Sequence, residues 1–169
     1  GKTQRYSGLT ITVTEKIDGT NACVVIHNGV VLGAQSRNRI ITPEKDNMGF
    51  ARWVDDNKED LAGLGDGYHY GEWAGEGIQK NPHKFVGKSF YLFNTSRPYE
   101  TLPKCVKMVP VLYQGSYQGR DHIDELMSDL EEFAKEQAYK PEGVIVYFHE
   151  PRQGLKYTFA NNKSKWELK

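Results

Sequence analysis

The sequence predicts an α+β fold in which antiparallel sheets are flanked by helices, and three observations carry that expectation. Residues 9–14 alternate, with Leu9, Ile11 and Val13 on one side and Thr10, Thr12 and Thr14 on the other. Such alternation is the mark of a half-buried strand. Asn28-Gly29 lies between Val24-Val25-Ile26 and Val30-Val31-Leu32. It is the strongest hairpin signal in the chain, because a type I′ turn needs positive φ at both central positions. Finally, Asp121–Ala138 places Ile123, Leu126, Met127, Leu130, Phe133 and Ala134 on one stripe at helical spacing. At 169 residues the chain is expected to form a single domain, 1–169, with a real core.

In order, residues 9–16, 22–27 and 30–36 read as the first three strands, and 47–61 as a helix with Phe50, Trp53, Val54 and Leu61 inward. Gly63 to Gly67 is glycine-rich but is not followed by Lys-Ser or Lys-Thr, so it reads as a flexible connection and not a phosphate loop. Tyr68 to Trp73 alternates like a strand before glycines break it, and residues 88–95 form another strand dense in aromatics. Residues 106–113 contain Pro110, which confines that strand to a sheet edge. Asp121 is expected to cap the long helix and Pro141 to stop it. A last pair of strands follows, from Gly143 and around Lys156.

Lys+Arg and Asp+Glu both number 22, so net charge neither argues for nucleic acid nor excludes a one-sided basic cleft. Cys23 and Cys105 sit in apolar surroundings without CxxC spacing, and read as core thiols in a reducing compartment. No apolar run is long enough to span a membrane and no secretion signal is seen, so an intracellular protein is expected, cytoplasmic or encoded by a virus or phage. Gly1 stands where a methionine is expected, which suggests a trimmed fragment.

The chemistry centres on Lys16, which ends the first strand beside Asp18-Gly19. A side chain fixed at its base and free at its tip suits an amine that must meet an electrophilic phosphorus in line. A solvated lysine next to a common turn pair satisfies the local pattern equally well. The wider sequence decides. Lys-x-Asp-Gly is the signature of covalent nucleotidyltransferases, the polynucleotide ligases and messenger-RNA capping enzymes, and Glu15-Lys16-Ile17-Asp18-Gly19-Thr20-Asn21 resembles the RNA-ligase branch. Ser36-Arg37-Asn38-Arg39 resembles the basic motif after the nucleophile strand. Tyr70-Gly71-Glu72, continued through Gly75, Gly77 and Ile78-Gln79-Lys80, is similar to RNA-ligase motif III, and Glu142-Gly143 to motif IV. The resemblance runs from about residue 10 to about 165.

That resemblance implies a ligase adenylation (nucleotidyltransferase, ATP-grasp-like) fold and assigns roles. Lys16 is the nucleophile, Arg37 contacts ribose or phosphates, and Glu72 holds the ribose, whose vicinal hydroxyls suit a carboxylate that accepts two hydrogen bonds. Phe93 stacks on adenine, a choice among Phe90, Tyr91 and Phe93 that rests on the resemblance alone. Glu15 and Asn21, inside the nucleophile motif, join the nucleotide-binding set. Glu142 serves the catalytic Mg²⁺ (or Mn²⁺), a hard cation that keeps most of its waters. Motif V should supply two lysines facing the α-phosphate. Lys156 is taken as the first, followed on its face by Thr158, and Lys163 of Lys163-Ser164-Lys165 as the second.

The expected reaction is attack of neutral Lys16 on the α-phosphorus of ATP to give lysyl-AMP. AMP then passes to an RNA 5′-phosphate, and a 3′-hydroxyl seals the strand, as in RNA repair. A free lysine titrates near 10.4, so Arg37, Lys156 and a metal ion are expected to disfavour its protonated form. RNA ends, above all nicked duplex, are the expected partner of a monomer with no membrane association. The chain's length leaves no room for the oligonucleotide-binding barrel of DNA ligases and capping enzymes. The alternatives are a capping-type guanylyltransferase, a DNA ligase catalytic domain, or a nucleotide- or RNA-end-binding module that has lost catalysis.

Overall fold

The computed structural model describes residues 6–160. In chain order these form β1 (Thr10–Glu15), β2 (Thr20–His27), β3 (Val30–Ser36), β4 (Ile40–Ile41), α1 (Phe50–Asp56), α2 (Lys58–Leu61), β5 (Gly67–Gly75), β6 (Lys88–Leu92), β7 (Val106–Met108), β8 (Val111–Ser116), α3 (Arg120–Glu136), β9 (Gly143–Phe148) and β10 (Gln153–Thr158). The α+β expectation holds. Contacts divide the chain into two compact units: one gathers the chain up to Lys16 with everything from Pro110 onward, and the other is Ile17–Val109.

The first unit is a four-stranded antiparallel sheet in the order β10-β9-β1-β8. Ile11 and Val13 of β1 are fully buried, as their alternation predicts, and meet Val144, Val146, Phe148 and Tyr157 together with Ile123, Met127 and Leu130 of α3. Each fully buried aliphatic of this kind contributes about 1.5–3 kcal/mol. The long helix differs from expectation at both ends. Gly119 occupies the cap position and no side chain caps the helix, so Asp121 lies within the first turn, where its charge suits the dipole. At the other end Ala138 takes a left-handed conformation (φ 60°) and the Tyr139 N–H reaches back to the Ala134 carbonyl. The chain has therefore left the helix before Pro141. Phe133 is 54 % exposed and lies outside the buried stripe.

The second unit is a six-stranded sheet in the order β4-β3-β2-β5-β6-β7. Every pairing is antiparallel except β6 with β7, which is parallel and so departs from the all-antiparallel expectation. The Asn28-Gly29 turn has positive φ at both residues (51° and 76°). Its two N–H groups donate to the Asp66 carboxylate at 2.9 and 2.8 Å. The glycine-rich stretch is thus a fastening for the hairpin as well as a connection. One sheet face packs Val24, Ile26, Trp73, Phe90 and Leu92 against Phe50 and Val54 of α1, and the Trp73 indole donates to the Met48 carbonyl at 2.8 Å.

The helix expected over 47–61 is broken at Asn57, whose amide donates to the Trp53 carbonyl at 2.7 Å. Its side chain competes there with the backbone ladder. The strand expected over 106–113 is two strands, β7 and β8, parted at Val109-Pro110 and each at the edge of its own sheet, where a missing N–H does least harm. The strand expected over 88–95 ends at Leu92. No helix among the described residues is long and apolar enough to cross a membrane.

Candidate functional site

Two polar clusters stand out, one in each unit. In the first unit Lys16 continues β1 for one further step, its N–H donating to the Gly143 carbonyl at 2.9 Å. Alternation sets its side chain with Thr12 and Thr14, away from α3. The Lys16 ammonium donates to Glu142 Oε1 at 2.6 Å, both side chains being partly buried. The other carboxylate oxygen, Glu142 Oε2, is buried and has no hydrogen-bond partner among the described residues. A buried anionic oxygen without a donor is costly, and it is the acceptor a hard cation needs. No cluster of three or more His, Cys, Asp or Glu residues suited to a metal exists among the described residues. The spare oxygen of Glu142 is thus one that would fit a divalent ion.

Gly143 permits this arrangement. A Cβ there would lie 2.0 Å from the Tyr157 carbonyl oxygen, and its φ of 154° is one that side chains disfavour. The close approach is that of β10 itself. Lys156 pairs with Ile145 in register, which puts it on the same face as Thr14, and it is exposed. Glu15 points the other way: it is 4 % exposed and accepts from the Tyr139 hydroxyl at 2.9 Å. Burial, and after it the Glu15 carboxylate, push the Tyr139 phenol up. Nothing in the sequence signals Tyr139, because its pairing depends on where the chain turns after α3.

In the second unit Asn21 and Glu72 are directly opposed on β2 and β5. Glu72 is 9 % exposed; its Oε2 accepts from the Gly19 N–H at 3.1 Å. With its amide oriented to satisfy both neighbours, Asn21 donates to Glu72 Oε1 at 3.1 Å and accepts from the Arg37 guanidinium at 2.6–3.2 Å. Arg37, one residue past the end of β3, thus forms one row with Asn21 of β2 and Glu72 of β5. Asn21 was legible as part of a motif but not as the hinge between a carboxylate and a guanidinium; its in-register partner was the missing information.

The rest of the nucleophile motif is structural in this unit. Ile17 is buried with Ala74, Tyr91 and Val109, and the Asp18 carboxylate accepts the Lys80 N–H at 3.1 Å. Gly19 is required by packing, since a Cβ would sit 2.3 Å from the Trp73 carbonyl oxygen and 2.9 Å from Glu72 Cγ. Of the three aromatics near 90, Phe90 is fully buried and Tyr91 is 6 % exposed, whereas Phe93 is 44 % exposed. Phe93 follows β6, its N–H donating to the Tyr70 carbonyl. Cys23 and Cys105 are free thiols that burial pushes up to about 11 and about 12, with Asp60 adding to the shift at Cys105. Both are protonated at neutral pH and poor nucleophiles. Lys163 lies outside the described residues.

Comparison with known proteins gives a family and a fold. A family model described as RNA ligase matches residues 9–163. No curated protein matches. Among solved structures, a variant of the Naegleria gruberi RNA ligase with ATP and Mn is similar with a TM-score of 0.70 at 21% identity, covering 99% of this chain and 55% of that one. Another variant of that ligase, with AMP and Mn, gives 0.69 at 20% identity over 99% and 54%. A variant without ligand gives 0.68 at 21% over the same shares. The chain spans about half the length of these structures, and at such identities the likeness is one of fold.

Proposed function

The chain belongs to the RNA ligase family, an enzyme family of nucleotidyltransferases, and on that premise we propose that it is the adenylating catalytic region of an ATP-dependent RNA ligase. The observation that carries this reading is the Lys16–Glu142 pair at 2.6 Å with a second, unpartnered carboxylate oxygen. An amine and a carboxylate with spare valence are the parts needed for phosphoryl attack near a hard cation.

In the proposed step the Lys16 ammonium loses one proton to solvent, its Nζ lone pair forms a bond to the α-phosphorus of ATP, and the nitrogen then sheds a second proton to solvent. The bond from that phosphorus to the bridging oxygen breaks, and pyrophosphate leaves with the electron pair. The product is a phosphoramidate linking Lys16 to AMP. A bound Mg²⁺ or Mn²⁺ on Glu142 would supply charge neutralisation at the phosphates and compete with the ammonium for the carboxylate. Lys156, on the same sheet face as Lys16, would offset charge on the phosphate oxygens, as would Lys163. Glu72 and Arg37, held by Asn21, would receive the ribose, and the exposed ring of Phe93 would stack on adenine, a contact worth about 1–3 kcal/mol in base–aromatic pairs. The Glu15 carboxylate, taken up by Tyr139, would act by fixing the strand end that carries Lys16. AMP is then passed to an RNA 5′-phosphate and displaced by a 3′-hydroxyl.

Variants of the solved ligase similar in fold hold ATP and Mn or AMP and Mn, which supports ATP as the substrate and a divalent ion as the cofactor here. Mass spectrometry after incubation with Mg²⁺ and ATP tests the reading. An added AMP that is absent from Lys16→Ala supports it; an added GMP from GTP alone would make the chain a capping-type guanylyltransferase. No adduct with either nucleotide would leave a binding module.

A further inference from the structure

The sheet face that carries Lys16 holds a second atom without a partner. Thr158 Oγ1 is buried and makes no hydrogen bond among the described residues. Its position is fixed by register: Thr158 pairs with Gly143, and Gly143 in turn receives the Lys16 N–H. Lys16, one step beyond β1, Gly143 of β9 and Thr158 of β10 are therefore one row, and its middle position carries no Cβ. Lys156 stands two residues earlier on the same face of β10, and Glu142 with its unpartnered oxygen precedes Gly143.

A hydroxyl can donate one hydrogen bond and accept two, so leaving all three unmade in a buried place costs free energy that an apolar side chain would not. The row gives it a use. Two ammonium groups and one hydroxyl surrounding a bare glycine make a seat for a tetrahedral oxyanion, not for a planar or apolar group. We propose that Thr158 is a phosphate ligand, donating its hydroxyl proton to a non-bridging oxygen of the nucleotide phosphate that Lys16 faces. This rests on the reading of the chain as nucleotide-binding, and it assigns the phosphate seat to a neutral donor beside two cations.

The test compares Thr158→Val and Thr158→Ser in a Lys16→Ala background, where ATP binds without turnover. Calorimetric titration with Mg²⁺ and ATP should show Thr158→Val binding roughly 10–100-fold more weakly, as for a lost hydrogen bond to a charged group, with Thr158→Ser close to the parent. At the same time the Thr158→Val protein free of nucleotide should melt a few degrees higher, because a methyl replaces an unpaired buried hydroxyl. Opposite signs in affinity and melting temperature are what a phosphate ligand predicts. Equal ATP affinity in all three proteins, a loss that serine does not restore, a fall in melting temperature alongside affinity, or no ATP binding by the parent would each overturn the assignment. If the Val and Ser pattern appears yet the protein with Lys16 intact forms no nucleotide adduct, Thr158 stands and the covalent step falls.

Discussion

The two polar clusters differ in how completely they are satisfied. In the second unit both oxygens of Glu72 have donors, Asn21 is engaged on either side, and Arg37 is held in the same row. In the first unit Lys16 is paired with Glu142, but Glu142 Oε2 and Thr158 Oγ1 have no partner among the described residues. A closed network fixes geometry and resists change. An open one stores unmet hydrogen-bonding capacity that a ligand can relieve. Recognition groups are thus expected in the saturated cluster and reacting groups in the unsaturated one, and substitutions should separate the two.

The largest effect is expected at Lys16. Lys16→Ala should abolish the nucleotide adduct, and intact-mass measurement would show no gain of AMP under conditions that label the parent protein fully. Next comes Glu142→Gln, which keeps shape but removes the charge. Adenylylation should slow by about 10²–10³-fold, the scale of losing one electrostatic group in a site. Its melting temperature should stay within a few degrees, since one of the two oxygens has no partner to lose.

Glu72→Ala should behave in the reverse way. It strands the Gly19 N–H and the Asn21 amide, at about 1–3 kcal/mol, or roughly 3–10 °C in melting temperature. It should also weaken ATP binding, measured by titration. A Glu72→Ala protein as stable as its parent would show that the saturated cluster is not what holds these strands in place.

The smallest effect concerns Cys23. Its thiol is raised from an ordinary value near 9 to about 11 by burial, so between those values the folded state holds a proton that the unfolded state has lost. Stability from this group is complete below pH 9 and is lost as pH rises toward 11. Cys23→Ala should flatten that part of the melting profile, and modification of Cys23 by thiol reagents at pH 8 should be slow.

Much of this was legible in the amino acids. The threonine and aliphatic alternation of β1, the Asn28-Gly29 turn and the stripe of α3 are local patterns with one dominant physical reading, and each is found. What escaped depends on contacts distant in sequence. The Asn57 amide that splits the first helix is an i to i−4 competition that periodicity does not register. Gly19 reads as a turn residue, yet its lack of a side chain serves the approach of Trp73 and Glu72, the latter 53 residues away. Glu15 and Lys16 are neighbours in the chain but face opposite sides of β1, and the bond from the Tyr139 hydroxyl to Glu15 spans a separation that no local pattern registers. The choice of Phe93 among three aromatics had no basis in pattern, whereas exposure separates them at once.

The path of β1 has a consequence for how the protein is made. This strand lies inside its sheet between β9 and β8, both of which come from beyond Pro110. The stretch Ile17–Val109 is continuous, so it can collapse as soon as it leaves the ribosome. The strand that precedes it must wait, unpaired, for partners that follow Pro110. Translation at roughly 5–20 residues per second puts that interval at about 5–25 s, during which an alternating, aliphatic segment is open to chaperones. The ion pair on Lys16 can close only once Glu142 has been made, so Lys16 acquires its setting after the stretch Ile17–Val109 has been synthesised.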